Sequence, residues 1–418
     1  MRQGEGTEVV TDGKMKPLKL KQSFFISLWF VFLTFPILVI RVNTIEKVVE
    51  WRWKNLLIAA LVSFLLSLIW HYFLEKRELK GIATSAGYSE PFFQRLSKRI
   101  SPRLFFALGT SSLVVLPFVL STYHTSVMTN ALMYIVLGLG LNIIVGLTGL
   151  LNLGYVAFYA AGAYCYALLN HHFGLGFWAA FPLGALVGMI FGVLLALPLM
   201  RLRGDYLAIV TLGFGEITRL VLENWNAFSF GPSGISNISA PGFFGFSLNI
   251  HELAIYLYFL MLCLCCLTIF VVLRLQNSRI GRAWIAIRED ETASQAVGID
   301  AARAKQKAFA IGAGWAGMMG VIFAAKTTFV NPASFTFIES AMILSIVVLG
   351  GIGSIPGIII AALLLLLLPE YLRVFSDYRM LIFGTAMVFM MIFRPQGIIP
   401  YVRRTYEFHL PENDTRRA

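Results

Sequence analysis

Long apolar segments recur along this sequence, separated by short stretches that contain charged residues, proline or glycine. An α-helix needs about 20 apolar residues to cross the hydrocarbon core of a bilayer, and flanking residues can extend a shorter run. The pattern therefore predicts a polytopic helical membrane protein. Because the last three runs are short, one or two of them are candidates for re-entrant or broken helices. The twelve candidate spans are 23–40, 55–74, 104–121, 127–148, 153–170, 177–200, 206–222, 253–273, 308–325, 338–352, 356–369 and 380–393.

The composition is that of a chain that lies mostly in lipid. Hydrophobic residues make up 58% of it and charged residues 13%, whereas soluble domains carry about 25% charged residues. These values exclude a soluble enzyme, a disordered chain and a nucleic-acid-binding protein. The net charge of +12 is then explained by the enrichment of lysine and arginine in the cytoplasmic loops of membrane proteins.

The distribution of lysine and arginine predicts an orientation. With the N-terminus inside, the cytoplasmic segments hold 26 of these residues and the loops on the opposite side hold 7. Such an asymmetry follows the positive-inside rule and places both termini in the cytoplasm.

We divide the chain into three regions, with an all-α fold expected throughout. Residues 1–103 form an N-terminal extension with two candidate spans and a basic interfacial segment. Residues 104–400 form a transmembrane domain of about ten spans, and 401–418 form a cytoplasmic tail.

Glycine-rich turns lie between apolar runs at 146–154 and at 350–357. Gly146, Gly149 and Asn152 of the first turn are candidate residues of a translocation pathway. Interrupted helices at matching places in two halves are typical of an internal transporter repeat, because unwound backbone is tolerated in a membrane only where it lines a cavity or is buried in protein. Tight turns between hairpin helices explain the pattern equally well.

Polar residues within the predicted spans are further pathway candidates. Glu216 and Arg219 lie three residues apart in the span 206–222, on one helix face, so that they can pair. A charged side chain at membrane depth needs a partner or a water-filled cavity, which makes it a functional candidate. A self-satisfied structural pair is the equally weighted alternative. The uncharged Asn142 and Asn152 are weaker candidates of the same kind, and Thr211 in the same span is a further pathway candidate.

No motif for catalysis or metal binding accompanies these residues. The sequence contains no Walker A P-loop, no zinc-protease motif and no nucleophile elbow. The glycines at 312–317 match the spacing of a dinucleotide site, but they lie inside an apolar run with no preceding strand. Small residues at this spacing favour close helix packing instead. We therefore expect no enzyme activity, no cofactor and no metal.

A long cytoplasmic loop, 274–307, lies within the transmembrane domain. Its residues 282–297 have helical spacing, with apolar side chains towards one side and charged ones towards the other. Gly298 is expected to end this helix, and Asp300 to cap a second helix that continues into the span at 308. Since we expect Trp284 to be exposed, the loop suits the docking of a soluble partner better than a role as a solvated connector.

Four stretches of the sequence resemble the permease subunits of branched-chain amino acid ABC importers. They are 137–149, 202–216, 281–299 and 394–397. The resemblance covers the chain from about 104 to 400, and it is closest to the longer of the two permease types in Liv-type importers.

The resemblance implies a permease subunit of an ATP-driven importer in the bacterial cytoplasmic (inner) membrane. The implied substrates are leucine, isoleucine and valine, sometimes with other neutral amino acids. The implied partners are a homologous second permease, two cytoplasmic ATPases and a periplasmic amino-acid-binding protein. The loop 274–307 would couple the chain to the ATPases. Its candidate residues are Gly281, Arg282, Trp284, Arg288, Glu289, Glu291 and Gly298.

From the residues alone, an ATP-independent secondary transporter or channel for small polar solutes is the alternative. It would need neither the ATPases nor a docking loop for them.

Overall fold

The computed structural model describes residues 114, 116–199, 202, 204–242, 249–371, 384–385, 388 and 396–399, and the backbone of two strands at 40–43 and 48–51. The chain forms two compact units, Met1–Phe106 and Ala107–Ala418. Four predicted spans lie in full or in large part outside the described residues: 23–40, 55–74, 104–121 and 380–393.

The first unit contains a short antiparallel strand pair. Strands β1 (Ile40–Asn43) and β2 (Val48–Trp51) pair with Ile40 opposite Trp51. Both strands fall at or within the segment between the two N-terminal candidate spans, where the sequence analysis expects a loop.

The second unit is helical wherever it forms regular structure in its described part, which confirms the predicted helical membrane fold. Each predicted span between 127 and 369 corresponds to a helix. The helices are α1 (Thr122–Asn142), α2 (Val156–Phe173), α3 (Phe177–Leu199), α4 (Asp205–Asn224), α5 (Asn226–Ser229), α6 (Ile250–Gln276), α7 (Arg279–Glu289), α8 (Glu291–Ala296), α9 (Ala301–Thr327), α10 (Phe337–Gly350) and α11 (Ile355–Tyr371).

Five segments of the described chain are long and apolar enough to cross a membrane. Two of them, α1 with its π-helical extension and α9, are mostly buried within the protein, whereas less than half of α3, of α6 and of the segment around α10 is buried. Helices α1 and α9 therefore form the centre of the second unit. The five segments are Thr122–Leu147, Phe177–Leu199, Ile250–Gln276, Ala301–Thr327 and Pro332–Gly350.

Glycines allow three helices to contact α9 closely, as the small-residue spacing at 312–317 predicts. A Cβ atom on Gly162 of α2 would lie 2.0 Å from the carbonyl oxygen of Gly317, and one on Gly188 of α3 would lie 2.5 Å from that of Ala313. A Cβ atom on Gly312 would meet the side chain of Ile144 at 2.7 Å. Backbones can approach this closely only where Cβ is missing, so these glycines serve helix packing rather than nucleotide binding.

Gly162→Ala is expected to destabilise the protein, because the new methyl group would force α2 away from α9. Overpacking of this kind costs about 1–3 kcal/mol. Gly213→Ala on α4 is the matched control, since a Cβ atom there meets nothing within 4 Å. Alanine is also the better helix former by about 1 kcal/mol. Thermal unfolding of the two purified variants should give a lower Tm for the first only; equal values would contradict the packing role of Gly162.

Helix ends that the sequence analysis assigns to one side of the membrane lie together. At the end predicted to be outside, Ile235 forms an isolated β-bridge with Val330, and Thr122 Oγ1 lies 2.8 Å from His251 Nδ1. At the opposite end, α7 contacts the C-terminal extension of α1. The predicted relative sidedness of these loops is consistent with the fold.

Candidate functional site

The segment 274–307, which is predicted to be cytoplasmic, contains two short helices, α7 and α8, and the prediction of one helix over 282–297 is wrong. The break lies at Asp290, which has an extended backbone (φ −154°). Its side-chain oxygen accepts hydrogen bonds from the backbone N–H groups of Thr292 (2.8 Å) and Ala293 (3.0 Å). An aspartate in this position caps a new helix rather than continuing the old one.

The predicted helix end at Gly298 and the predicted helix cap at Asp300 are both confirmed. Gly298 follows the helix with φ +88°, a conformation that favours glycine. Asp300 caps α9, its carboxylate accepting a hydrogen bond from the Arg303 N–H at 3.0 Å. Helix α9 then runs without interruption from Ala301 into the membrane domain.

Trp284 is fully buried, so the expectation of an exposed indole is wrong. Its Nε1–H donates a hydrogen bond to the carbonyl oxygen of Ala304 at 2.8 Å, and Ile287 on the next turn is buried as well. The apolar face of α7 therefore packs against the start of α9 within this chain. An amphipathic pattern marks a face that becomes buried, and here α9 covers it.

Arg288 connects α7 to the membrane domain. Its Nη1 donates a hydrogen bond to the carbonyl oxygen of Gly146 at 2.6 Å. Gly146 lies in a π-helical segment, Ile143–Leu147, that extends α1. Gly149, with φ +72°, lies against the same side chain, since a Cβ atom there would be 2.9 Å from Arg288 Cγ.

Glu291 and Lys305 form a buried ion pair between α8 and α9. Glu291 Oε1 and Lys305 Nζ are 2.7 Å apart, and only 18% and 4% of their side chains are exposed. Both residues line a cavity of about 380 Å³ that also borders Thr148, Gly204 and Arg288. Sequence reasoning missed Lys305, because 14 residues and a helix break separate it from its partner.

The exposed surface of this segment is smaller than the sequence suggests. Arg282, Glu289 and Gly298 are exposed, whereas Gly281 is buried against the end of α6, where a Cβ atom would lie 1.9 Å from the carbonyl oxygen of Leu275. Val297, which sequence reasoning did not select, is 78% exposed. We call the surface formed by Arg282, Glu289, Val297 and Gly298 the docking face.

The two glycine-rich turns contact each other through Asn142. The Oδ1 atom of this buried residue accepts a hydrogen bond from the Gly353 N–H at 2.9 Å. A Cβ atom on Gly146 would lie 1.9 Å from the same oxygen. The second turn joins α10 and α11 as a tight hairpin in which Gly350 contacts the backbone of Gly357. Each turn connects two separate helices, as the alternative of tight turns between hairpin helices predicts, and the two turns contact each other.

Thr211 joins the first turn to α4, and Asn152 forms a hydrogen bond within the turn. Thr211 Oγ1 accepts a hydrogen bond from the Leu153 N–H at 3.0 Å, and Asn152 Oδ1 accepts one from the Gly154 N–H at 2.9 Å. The side-chain amide nitrogens of Asn142 and Asn152 are buried and have no hydrogen-bond partner among the residues that the structure describes. Buried donors of this kind are uncommon and call for an explanation such as a water or a ligand.

Glu216 and Arg219 form the predicted pair, and Glu223 extends it. Arg219 Nε lies 3.0 Å from Glu216 Oε2, and Arg219 Nη1 lies 2.7 Å from Glu223 Oε2. The arginine is thus shared between two carboxylates on one face of α4. This arrangement accounts for the charges within the span, and a pathway role for Glu216 stays a prediction.

Two charged residues near the predicted outer side also escaped sequence reasoning. Lys326 at the end of α9 and Glu339 in the first turn of α10 both bond to α1. In the sequence, each is a single charged residue among mostly apolar neighbours. Only the tertiary structure shows that both lie against one face of α1. Among the described residues, no group of His, Cys, Asp and Glu side chains is arranged to hold a metal ion.

Comparison with known proteins adds the following matches. The family model described as "Branched-chain amino acid transport system / permease component" matches residues 123–391. The high-affinity branched-chain amino acid transport system permease protein LivM of Salmonella typhimurium is 40% identical over 415 residues, covering 93% of this chain and 96% of the relative. LivM of Escherichia coli K12 is 42% identical over 379 residues, covering 86% of this chain and 88% of the relative.

A more distant similarity involves a second type of permease. The high-affinity branched-chain amino acid transport system permease protein LivH of Escherichia coli K12 is 33% identical over 137 residues, which are 32% of this chain and 42% of the relative. No solved structure matches the chain.

Proposed function

This chain belongs to the family of branched-chain amino acid transport system permease components, and from that premise we propose that it forms the translocation pathway of an ATP-driven importer. Its substrates would be leucine, isoleucine and valine. The chain is a multi-pass membrane protein, and we place it in the bacterial cytoplasmic membrane with both termini inside.

The contacts of segment 274–307 carry this proposal. Helix α7 is anchored to α1 by Arg288, to α9 by Trp284, and α8 is tied to α9 by the Glu291–Lys305 pair. A force applied to the docking face would therefore reach two central membrane helices directly. A soluble partner can shift the conformational equilibrium of the permease if it binds the two states differently.

The proposed importer needs partners for the steps that this chain does not perform. Two cytoplasmic ATPases would supply the hydrolysis for which this chain has no P-loop. A homologous second permease would complete the pathway, and a periplasmic binding protein would deliver the amino acid. The similarity to both LivM and LivH supports a system with two permease types.

We assign pathway roles to the residues around the two glycine-rich turns. Their meeting point is buried and lies at the ends of α1 and α10 that are predicted to be inside, and the amide nitrogens of Asn142 and Asn152 have no hydrogen-bond partner among the described residues. These features suit a gate that rearranges during transport. The proposed gate residues are Asn142, Gly146, Gly149, Asn152 and Thr211, with Glu216 and Arg219 as peripheral candidates.

Val297→Asp is expected to reduce the amount of ATPase that co-purifies with the permease at least fivefold. The residue lies at the exposed tip of the docking face, so a charge there disturbs an interface without unfolding the chain. Ile250→Asp is the matched control, because Ile250 is 84% exposed at the opposite end of the protein. ATPase retained at parental levels by Val297→Asp would place the docking surface elsewhere.

The energy source separates the proposed importer from a secondary transporter. Proteoliposomes containing the permeases, the ATPases and the binding protein should take up leucine only when ATP is present on the side of the membrane where the ATPases lie. Uptake that continues without the ATPases would overturn the importer and favour the secondary transporter.

A further inference from the structure

A polar stripe runs along the outer half of α1. Tyr123, Ser126, Asn130 and Tyr134 recur every three or four residues and so lie on one helix face. Tyr123, the outermost residue of the stripe, donates a hydrogen bond to Glu370. Tyr134 lies 12 residues after the start of α1, roughly 18 Å along the helix axis, and seven residues into the predicted span 127–148. The stripe therefore leads from the outer end of the unit towards the middle of the bilayer.

Lys326 lies against the middle of this stripe. Its ammonium donates hydrogen bonds to the carbonyl oxygen of Ser126, at 3.1 Å, and to Oδ1 of Asn130. Both partners are neutral. Among the residues that the structure describes, no carboxylate lies within ion-pairing distance of this ammonium. The positive charge is half-buried, and the described part of the chain does not compensate it.

Glu339 lies one helical turn deeper, with the opposite sign. Its Oε2 accepts a hydrogen bond from the hydroxyl group of Tyr134 at 2.5 Å. Within the described part of the chain it has no cationic partner. An ionised group at membrane depth is costly, and natural proteins retain such groups chiefly for function.

Aromatic side chains lie beside the two charges. Phe323 is one turn before Lys326 on α9, and Phe335 is four residues before Glu339. The ring of Tyr159 is 5.4 Å from each of these phenylalanine rings. The rings of Tyr159 and Phe335 are buried and that of Phe323 is partly exposed, so Phe323 is the part of this cluster that can contact an aliphatic side chain.

We propose that Lys326 and Glu339 form a binding subsite for the zwitterionic backbone of an amino acid. The ammonium of Lys326 binds the carboxylate of the ligand, and Glu339 binds its ammonium group. The contact positions on α1, Asn130 and Tyr134, are roughly 6 Å apart along the helix axis, which leaves room for a small zwitterion between them. The aliphatic side chain then contacts the ring of Phe323 at the edge of the aromatic cluster.

This inference rests on the proposed function for the identity of the ligand, but it does not depend on ATP. A secondary transporter of amino acids could use the same subsite. Failure of the ATP-driven mechanism therefore shows in the uptake experiment above, whereas failure of the subsite shows in ligand binding alone.

The test measures binding of radiolabelled leucine to the purified permease–ATPase complex without the binding protein and without ATP. Glu339→Gln and Lys326→Met should each weaken binding at least tenfold. Unlabelled competitors separate the two charges: isocaproate lacks the ammonium group and leucinamide lacks the carboxylate. Isocaproate should bind the Glu339→Gln variant as tightly as it binds the parent, because it has no ammonium group for Glu339 to bind. Leucinamide should bind the Lys326→Met variant as tightly as it binds the parent, because it has no carboxylate for Lys326 to bind.

Matched variants distinguish recognition from structure. Lys326→Arg keeps the charge and should retain most of the binding, and Glu252→Gln, which removes an exposed carboxylate at the outer end of α6, should bind leucine as the parent does. Thermal unfolding checks that each variant is folded. The proposal is overturned if the parent binds no leucine, or if both charge-removing variants bind it within twofold of the parent.

Discussion

Lys305→Met is expected to destabilise the purified protein at α8 and the start of α9 by about 3 kcal/mol, because it removes the cation that pairs with the largely buried Glu291 carboxylate. The ammonium is only 4% exposed and the carboxylate 18%, so solvent screens the pair weakly. Thermal unfolding measures the loss of stability, and co-purified ATPase measures whether α8 still presents the docking face.

Two further variants test the cause of this effect. Arg303→Met removes a neighbouring ion pair with Asp300 whose side chains are 79% and 50% exposed, and exposed pairs contribute about 0–1 kcal/mol. It should leave the Tm almost unchanged. Exchanging the charges by Lys305→Glu together with Glu291→Lys should restore part of the stability. If Lys305→Met unfolds at the parental temperature, the buried pair does not hold α8 in place.

Arg288→Ala is expected to reduce leucine uptake at least twentyfold while ATP hydrolysis continues. The substitution removes the hydrogen bond from α7 to Gly146, and with it a direct connection between the docking segment and α1. In the proposed complex the partner subunits carry out hydrolysis, so it should persist in the assembled complex. The ratio of transported leucine to hydrolysed ATP, measured in proteoliposomes, is the quantity that should fall.

The choice of controls makes this result specific. Arg279→Ala removes an exposed arginine from the first turn of the same helix and should keep the parental ratio. Arg288→Lys retains a donor but not the reach of the guanidinium, so an intermediate ratio is expected. Uptake and hydrolysis that fall together would instead indicate loss of ATPase docking, and an unchanged ratio would remove Arg288 from the transmission path.

The helical spans were predictable because the partition of a segment between water and lipid depends on its own residues. Every apolar run between 127 and 369 became a helix within a few residues of its expected limits. The caps were predictable for the same reason, since Asp300 and Gly298 act on backbone groups beside them in the chain. The pairing of Glu216 with Arg219 also followed from local helical spacing.

The segment 274–307 shows where sequence reasoning stopped. Its amphipathic pattern marked a face that had to be covered, but the pattern is the same whether a partner protein or the chain's own helix covers it. Trp284 and Ile287 pack on α9, so the surface left for a partner is the one around Glu289 and Val297. The break at Asp290 was missed because capping competes with helix continuation at small differences in free energy.

The sequence by itself determined that this chain is a multi-span helical membrane protein, and its motifs resembled those of the family to which it belongs. Only the tertiary structure decided which distant residues meet: Arg288 with Gly146, Asn142 with Gly353, and Lys326 and Glu339 along one face of α1. The physical reason is one of range. Hydropathy, capping and helical spacing act between residues a few positions apart, whereas these contacts join residues 142 to 211 positions apart and depend on how the helices pack.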